Sequence, residues 1–532
     1  MFKTASQRDT LEGAFPQTLP FIMKNRFTIP FLVLFLISIA SKESIGDVRM
    51  PAIFSDHMVL QSEVEVPVWG SADPGESVSV VMNDQSQSTT AGTDGKWMIR
   101  LRGLKVGNPT MLKIQAKNQI VIEDVLVGEV WLGSGQSNMA MTVKAAKDFA
   151  IEQTSSQLPL IRMFKEDSGA ATEEQSVGKG QWVVCSPESV GGFSATLFFF
   201  GREIHKSLGV PIGLINSSVG GTPIESWIAS DAQFKSNELN SFVRAQKEET
   251  NKIVSEEEKN KYVKELAAWQ EASKKARAEN QTPPRKPVDP IDVRSKKGNI
   301  GGLFNGKIAP LIPYAIRGAL WYQGEANSTP AKAPFYEHQL PLLVHDWRSR
   351  WGYDFPIAWA QLPNFSGEGR DWPTIREAMR KSLSIPKTGM GINIDIGDKN
   401  DIHPKNKQEV GRRLSLWALG TVYGKEVVAT SGPLLYGYET KGSEIVLSFK
   451  HSNGGLLARD GSLKGFAIAG EDQEWKKATA SIRGDKVIVS SPEVFKPVAV
   501  RYAWENFPDC NLFNGAGLPA SPFRTDDWRT SR

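Results

Sequence analysis

The stretch Val127-Gly-Glu-Val-Trp-Leu-Gly-Ser-Gly-Gln-Ser-Asn-Met139 indicates the architecture of the central part of this 532-residue chain. Residues 127–132 have the largely apolar pattern of a buried strand, and a helix-like segment follows Ser137. Similar patterns recur along the chain. Further strand candidates are residues 210–217, 315–322, 357–362 and 391–396, and helical candidates are 194–208, 340–351, 374–383 and 405–419. This alternation predicts an α/β domain with a mostly parallel sheet covered by helices on both faces.

Short strand candidates separated by turn residues flank this region on both sides. Turns such as Asp73-Pro-Gly75 punctuate the N-terminal part, and the β pattern returns after Gly424. We therefore predict β-sandwich-like domains at residues 41–127 and 426–532, on either side of an α/β domain at 128–425.

One segment of the α/β region departs from its rhythm of strands and helices. Residues 232–297 are rich in Lys, Glu and Ala, and they place Tyr262, Leu266 and Trp269 on one helical stripe. The pattern predicts a charged helical hairpin inserted into the domain. The insertion could be a solvent-exposed segment without a function, a lid or a surface that binds a partner, and the sequence leaves these three interpretations open.

Residues 1–40 have the features of a secretion signal. Two basic residues precede an apolar run at residues 29–39, which is too short to span a bilayer. Ser38 and Ala40 supply the small residues of a cleavage site, so we expect cleavage after Ala40. Met23 is an alternative start. We expect a secreted or periplasmic protein with no membrane span after cleavage, and an uncleaved anchor is the alternative.

The composition narrows the classes of function. The formal net charge is +4 and no basic run stands out, which does not favour nucleic-acid binding. The two cysteines, Cys185 and Cys510, cannot build a disulfide framework. The sequence contains no metal-ligand spacing and no phosphate-loop motif. Any chemistry must therefore come from ordinary side chains.

Four short segments follow predicted strands, at the sheet edge where ligands of parallel sheets bind. Ser137 would place its hydroxyl and its own N–H at this edge, although a helix cap would look the same. Gly220 and Gly221 would let the backbone approach a ligand, or would simply form a tight turn. Gln323 would donate an amide hydrogen to an oxyanion, or would be a satisfied core amide.

His403 lies in the fourth segment, Asp398-Lys-Asn-Asp-Ile-His-Pro404, after the last predicted core strand. Histidine can act as a general base near neutral pH because its ordinary pKa is close to the working range. Asp401, two residues earlier, would fix the tautomer of the imidazole and stabilise its protonated form.

Together the segments resemble the sialate O-acetylesterase family of SGNH hydrolases. The motifs are Gly-Gln-Ser-Asn-Met at 135–139, Gly-Gly-Thr-Pro-Ile-Glu-Ser-Trp at 220–227, Trp-Tyr-Gln-Gly-Glu-Ala-Asn at 321–327 and Asp-Ile-His-Pro-Lys-Asn-Lys-Gln at 401–408. Segments 54–61 and 511–523 are similar to that family too. The likeness therefore extends from about residue 50 to the end of the chain.

The resemblance implies an SGNH-type fold and a carboxylic ester hydrolase that removes acetyl groups from carbohydrate. It implies Ser137 as nucleophile, His403 as general acid and base, and Asp401 as the residue that orients His403. It further implies an oxyanion hole made by the N–H groups of Ser137 and of Gly220 or Gly221 with the Gln323 side chain, and substrate binding by Asn138, Glu325 and Trp227. No metal or cofactor is required by such a mechanism.

The sequence departs from the family pattern in three places. Many SGNH hydrolases carry the acid three residues before the histidine, whereas position 400 is Asn, so Asp398 also remains a candidate. Gln323 stands where Asn is common. Met379 stands where we expect Gln in an Arg-x-Ala-Gln pattern, which leaves a substrate contact there open.

Two other classes of function compete with the esterase. A non-catalytic secreted carbohydrate-binding protein would need neither Ser137 nor His403. A glycoside hydrolase would need a carboxylate pair such as Glu225 and Glu325 across a sugar cleft. The sequence alone leaves the acetylated sugar open, with O-acetyl sialic acid and acetylated xylan both reasonable, and leaves the oligomeric state open.

Overall fold

A computed structural model describes residues 47–251, 255–279, 284, 287, 290 and 300–528. The expected secretion signal at 1–40 and much of the second half of the insertion lie outside the described residues. The described residues belong to one compact unit. No helix of the described ranges is long and apolar enough to cross a membrane.

The N-terminal strands form antiparallel ribbons that lead into the central sheet, except that the short first strand pairs parallel with the seventh. They are β1 (Val59–Gln61), β2 (Val66–Ser71), β3 (Ser77–Met82), β4 (Gln85–Thr90), β5 (Lys96–Leu101), β6 (Thr110–Gln115) and β7 (Gln119–Gly135). Residues alternate between buried and more exposed along β3 and β5, as expected when one face of a sheet is solvated.

Strand β7 belongs to both the N-terminal ribbons and the central sheet. Its first half pairs antiparallel with β6, and residues 126–128 pair with β1. Its last seven residues pair with the central sheet. The predicted domain boundary between residues 127 and 128 therefore falls inside one continuous strand.

The central sheet is parallel except at one edge. Its other strands are β8 (Leu158–Glu166), β9 (Gly180–Cys185), β10 (Ile212–Ser218), β11 (Gly318–Tyr322), β12 (Ile357–Ala360) and β13 (Thr388–Gly391). The spatial order is β13-β12-β11-β7-β10-β8-β9, and only β9 runs antiparallel to its neighbour. The chain order changes direction around β7, and this is where parallel sheets open a ligand crevice.

Nine α-helices occur in the described part of the chain. They are α1 (Ser137–Ala140), α2 (Phe149–Thr154), α3 (Ala195–Leu208), α4 (Ser230–Lys235), α5 (Asn240–Asn251), α6 (Glu256–Ala278), α7 (Tyr336–Trp351), α8 (Trp372–Lys381) and α9 (Lys407–Trp417). Helices α5 and α6 belong to the insertion, and Tyr262, Leu266 and Trp269 lie on α6.

Tryptophans mark the helix packing on the two faces of the central sheet. Trp131 of β7 packs against Phe200 of α3 and Trp417 of α9, with ring centroids 4.9 and 6.3 Å away. Trp321 of β11 packs against Trp347 of α7 at 5.9 Å. Trp131 is paired with Gly318 in the parallel register of β7 and β11. Trp321 lies three residues after Gly318, and side chains alternate between the faces of a sheet, so the two rings point to opposite faces. The predicted α/β sheet with helices on both faces is confirmed.

One predicted strand was misplaced and two strands were not predicted. Residues 391–396 were expected to form the last core strand, but β13 ends at Gly391 and the following residues form a turn. The apolar run continues past Gly391 because Ile392 and Ile394 are buried in the turn. Strands β8 and β9 lie at the antiparallel edge and were absent from the prediction.

The C-terminal part is all β. Its strands are β14 (Leu434–Lys441), β15 (Glu444–Lys450), β16 (Leu456–Ala458), β17 (Phe466–Ala469), β18 (Lys476–Lys477), β19 (Thr479–Arg483), β20 (Lys486–Ser490), β21 (Ala499–Tyr502), β22 (Leu512–Asn514) and β23 (Phe523–Arg524). They form antiparallel sheets β14-β15-β20-β19 and β18-β17-β21-β23 and a pair β16-β22. Residues such as Ile445, Val487 and Phe523 give this part a core of its own.

Arg376 of α8 joins the C-terminal part to the central domain. Its fully buried guanidinium donates hydrogen bonds to the backbone carbonyls of Leu362 and Pro363, and to those of Glu505 and Asn506. Burial lowers the pKa of Arg376 to about 9. Met379, where a substrate contact was left open, is also fully buried. Both residues therefore serve the interior of the fold.

We expect Arg376→Met to lower the free energy of unfolding by about 4 kcal/mol, because it leaves several buried carbonyls without donors. Urea denaturation followed by tryptophan fluorescence measures this loss. Arg102→Met is the matched control, since Arg102 pairs with Glu65 on the surface and should cost less than about 1 kcal/mol. Equal losses in the two variants would contradict the interior role of Arg376.

Candidate active site

Ser137 stands at the carboxyl end of the central strand β7, as the first residue of α1. The preceding turn is pressed against β11, where the N–H of Gln136 donates to the carbonyl of Tyr322 at 3.0 Å. Gly135 has a φ of +132°, and a Cβ there would lie 2.2 Å from the same carbonyl oxygen. Only glycine fits this approach, which turns the chain so that Ser137 emerges half-buried at the sheet edge.

His403 meets Ser137 across the crevice. Its Nε2 lies 2.8 Å from the Oγ of Ser137, although 266 positions separate the two residues along the chain. His403 belongs to the loop between β13 and α9, while Ser137 follows β7. The fold thus brings together the hydroxyl and the imidazole that the sequence singled out.

Asp401 is the carboxylate beside the imidazole. Its Oδ1 accepts a hydrogen bond from the backbone N–H of His403 at 2.9 Å and lies 3.5 Å from the Nδ1 of that residue. Asp398, the other candidate, accepts hydrogen bonds from the N–H groups of Asn400 and Asp401 instead. Asp398 therefore shapes the loop, and Asp401 faces the ring.

A neighbouring loop supports the histidine loop from outside. The side chain of Asn364 accepts a hydrogen bond from the N–H of Gly397 at 2.8 Å, and the hydroxyl of Ser366 donates to the carbonyl of Lys399. A Cβ at Gly397 would lie 1.9 Å from the carbonyl oxygen of Asn364, so this contact requires glycine. The loop that carries His403 is thus fixed at several points.

The surroundings of His403 favour its neutral form. Burial lowers the pKa of His403 below its ordinary value, the charges of Lys407 and Lys405 lower it further, and Asp401 opposes them. A neutral imidazole can accept the proton of the Ser137 hydroxyl at neutral pH, as a general base must.

The glycine pair after β10 faces the serine. A Cβ at Gly220 would lie 3.5 Å from the Cβ of Ser137, and Gly221 adopts a left-handed φ of +73°. Both glycines are exposed, and their N–H groups donate to no acceptor among the described residues. As the first helical residue, Ser137 also has an N–H without an intrahelical partner. These amides are available to an anion at the hydroxyl.

The structure corrects the prediction for Gln323. Its side chain is fully buried, and its Nε2 donates to the carbonyl of Thr222 at 3.2 Å and to Oδ1 of Asn327 at 2.7 Å. Its Oε1 accepts from the hydroxyl of Tyr336. Both amide hydrogens are used inside the fold, so Gln323 is a satisfied core amide and not an oxyanion donor in this arrangement.

The three predicted substrate contacts also lie in the interior. Trp227 is fully buried, and its indole N–H donates to the hydroxyl of Thr222. Asn138 is fully buried and Glu325 is 2% exposed. All three side chains are enclosed by the protein in this structure, which does not support their assignment as substrate contacts.

Asn138 and Glu325 instead form a buried polar cluster with Lys407. Asn138 Nδ2 donates to Glu325 Oε1 at 2.5 Å and to the carbonyl of Ile402 at 3.1 Å, while Lys407 Nζ donates to Asn138 Oδ1 at 2.6 Å. Burial raises the pKa of Glu325 and lowers that of Lys407 to about 7. Sequence reasoning missed Lys407, because a lysine between polar residues ordinarily indicates a surface.

Glu225 and Glu325 do not form a carboxylate pair across an open cleft. Glu225 is 1% exposed and is engaged by Lys332 at 3.1 Å and by Asn327 at 2.7 Å. Glu325 is equally enclosed. A sugar at the surface would reach neither carboxylate, so the geometry that a glycoside hydrolase requires is absent from this pair.

A cleft of about 890 Å³ lies in the C-terminal part, away from Ser137 and His403. Trp475 and Trp504 line it, but the guanidinium of Arg501 lies 4.2 and 5.3 Å from their ring centroids. Asp526 holds that guanidinium with two hydrogen bonds. At least one face of each ring is therefore occupied by the protein itself, which leaves less aromatic surface for stacking on a sugar.

The central strand of this parallel sheet leads directly to a serine, and that serine is hydrogen-bonded to a histidine from the loop after β13. This arrangement is that of a hydrolase of the SGNH type. A family profile described as carbohydrate esterase, sialic acid-specific acetylesterase, matches residues 127–274 and 306–418. The chain belongs to this family of carbohydrate esterases and is a carboxylic ester hydrolase.

Individual relatives agree with the family along most of the chain. The sialate O-acetylesterases of Homo sapiens and Rattus norvegicus are each 27% identical to it, over 92% and 93% of this chain and 95% and 97% of theirs. The crystal structure of a carbohydrate acetylesterase from Xanthomonas citri is 34% identical, with a TM-score of 0.76 over 91% of this chain and 100% of the other.

The pKa of His403 leads to a prediction for the pH profile. Activity that needs neutral imidazole is lost as the pH falls through this pKa, which lies below its ordinary value. Asp401→Asn removes a charge that raises the pKa, so the acid limb of kcat/KM for 4-nitrophenyl acetate should move to lower pH, and the plateau should fall about 100-fold. Asp398→Asn should leave the position of the limb unchanged. A limb that does not respond to Asp401→Asn would exclude Asp401 as the partner of His403.

Proposed function

We propose that the enzyme removes O-acetyl groups from sugars through an acyl-enzyme on Ser137. The observation that carries this proposal is the 2.8 Å hydrogen bond between Ser137 Oγ and His403 Nε2. Ser137 attacks the acetyl carbonyl carbon while His403 takes the hydroxyl proton. The C–O bond to the sugar then breaks, and His403 returns the proton to the leaving sugar hydroxyl. Water activated by His403 releases acetate and restores the serine.

The negative oxygen of the tetrahedral intermediate is held by backbone amides in this proposal. The N–H of Ser137 and that of Gly220 or Gly221 are the proposed donors, because Gly220 lies beside Ser137 and the N–H groups of the two glycines donate to no acceptor among the described residues. Such a donor typically contributes about 3 kcal/mol of barrier lowering. Since the Gln323 side chain is engaged in the core, backbone amides supply the whole oxyanion hole.

O-acetylated sialic acid is the substrate class that we propose first. The curated relatives are named sialate O-acetylesterases, and they match nearly the full chain. Acetylated xylan is the competing substrate class. Acetate release from defined O-acetyl sialic acids and from acetylated xylo-oligosaccharides, compared at equal ester concentration, distinguishes the two. A faster release from the xylo-oligosaccharides would overturn the sialate assignment.

We expect Ser137→Ala to reduce kcat for 4-nitrophenyl acetate by about 10⁴-fold or more, because the nucleophile is removed. Ser86→Ala, on the exposed side of β4, is the matched control and should retain full activity. His403→Ala should fall as far as Ser137→Ala, since both residues serve the same step. Turnover that persists in Ser137→Ala would reject the acyl-enzyme.

We propose that residues 1–40 direct secretion and are removed after Ala40. The charged start, the short apolar run and the small residues Ser38 and Ala40 support this. N-terminal sequencing of protein recovered outside the cytoplasm should begin at Ser41. Ala40→Leu should block cleavage and leave a larger precursor with the membranes. A wild-type product that retains residues 1–40 would contradict the assignment.

A further inference from the structure

Asn138 links the chain neighbours of the two reacting groups. It follows Ser137 directly, and its Nδ2 donates to the carbonyl of Ile402, which directly precedes His403. Two hydrogen bonds, Ser137–His403 and Asn138–Ile402, therefore join the same two segments. Together with the peptide bonds Ser137–Asn138 and Ile402–His403, they form a closed ring. A rotation of the Asn138 amide would break its hydrogen bond to Ile402 and open this ring.

Two buried charges determine which way the Asn138 amide points. Below its pKa of about 7, Lys407 is an ammonium that can only donate, so the Oδ1 of Asn138 must face it; the two atoms are 2.6 Å apart. Ionised Glu325 can only accept, so Nδ2 must face its Oε1. A flipped amide would set its NH₂ group against the ammonium and its oxygen against the carboxylate. The cluster therefore permits one orientation of the amide.

This cluster is costly to the fold. Lys407 is fully buried, and besides Asn138 its ammonium faces the ring of Tyr322 at 5.1 Å. Glu325 Oε2 has no hydrogen-bond partner among the described residues. Lys407 is also the first residue of α9, where the helix dipole disfavours a positive charge. Apolar residues of similar size would often pack here at no loss of stability.

We propose that Lys407 is a positioning residue of the esterase, which acts through Asn138 to hold Ser137 and His403 in hydrogen-bonding register. The inference rests on the proposed roles of Ser137 and His403 and assigns a role to a residue outside that pair. Lys407 is fully buried, and its ammonium donates to Asn138 rather than to the imidazole. It fixes the amide that ties their backbones together.

Lys407 has a second effect on the same histidine. The charged groups that face His403 are Asp401 and Lys405 from its own loop and Lys407 from α9, and Glu325 faces Lys407 in turn. The positive charge of Lys407 lowers the pKa of His403. Loss of that charge should therefore raise the pKa and move the acid limb of activity to higher pH.

Lys407→Met tests the proposal, with Lys405→Met as the matched control. Misplacement of the pair in Lys407→Met should lower kcat for 4-nitrophenyl acetate about 100-fold and leave KM within about threefold. Its acid limb should move to higher pH. Lys405 is exposed and does not contact Asn138, so its variant should keep kcat within about threefold and shift the limb less.

A second variant separates positioning from stability. The double variant Lys407→Met with Glu325→Gln removes both buried charges, so its thermal midpoint should equal or exceed that of wild type. Its kcat should nevertheless stay about 100-fold low, because Oδ1 of Asn138 has lost its donor. Recovery of wild-type kcat in the double variant would show that the single variant suffers only from an unpaired carboxylate, and would overturn the proposal.

The remaining outcomes are equally decisive. Wild-type kcat and an unmoved acid limb in Lys407→Met would overturn the positioning role while Ser137→Ala remains inactive. Activity in Ser137→Ala would instead reject the acyl-enzyme itself. If Lys407→Met does not fold, Asn138→Asp combined with Glu325→Gln carries the test, because this double variant keeps the acceptor for Lys407, avoids two carboxylates in contact and loses the donor to Ile402. This variant should also lose about 100-fold in kcat with little change in KM.

Discussion

The hydrogen bond between Ser137 and His403 is the interaction on which the other features of the site depend. Strand β7 lies in the middle of the sheet and β13 lies at its edge, with β11 and β12 between them. The hydrogen bond requires the end of β7 and the loop after β13 to meet in one crevice. Because the strands are parallel, their carboxyl ends lie at the same edge of the sheet. The close approach of Gly135 to the carbonyl of Tyr322 turns the chain outward just before Ser137. Asp401, the glycine pair and the buried cluster then act on groups that this bond has already brought together.

The loop that carries His403 is hydrogen-bonded to the loop after β12, which is in turn hydrogen-bonded to the C-terminal part of the chain. Asn506 and Arg376 fasten the loop after β12, and Asn364 of that loop holds the histidine loop at Gly397. The serine side is supported by β7 itself. The two reacting groups therefore rest on different parts of the molecule, and the Asn138 side chain joins the segments that carry them.

Sequence patterns predicted the strands β7, β10, β11 and β12, the helices that cover them and the serine–histidine pair, because buried apolar runs and local motifs can be read from residue type, but they missed β8 and β9. They were insufficient for Gln323 and Trp227, since a motif does not show whether a side chain turns toward the crevice or into the core. Lys407 illustrates the reverse error. Lysine is usually solvated, so only its contact with Asn138 reveals that it is enclosed. The shift of the last strand has a similar cause, because Ile392 and Ile394 are buried without being in a strand.

The continuity of β7 has a consequence for how the protein can be divided. Its first half is bordered by β1 and β6, and its second half carries the serine turn. A shortened chain beginning near residue 128 would lose the first half of this strand together with its partners. It would also uncover the ring of Tyr314, which packs against Phe54 and Trp69, and newly exposed apolar surface invites association between copies. The N-terminal ribbons are thus an integral part of the esterase and not a detachable accessory.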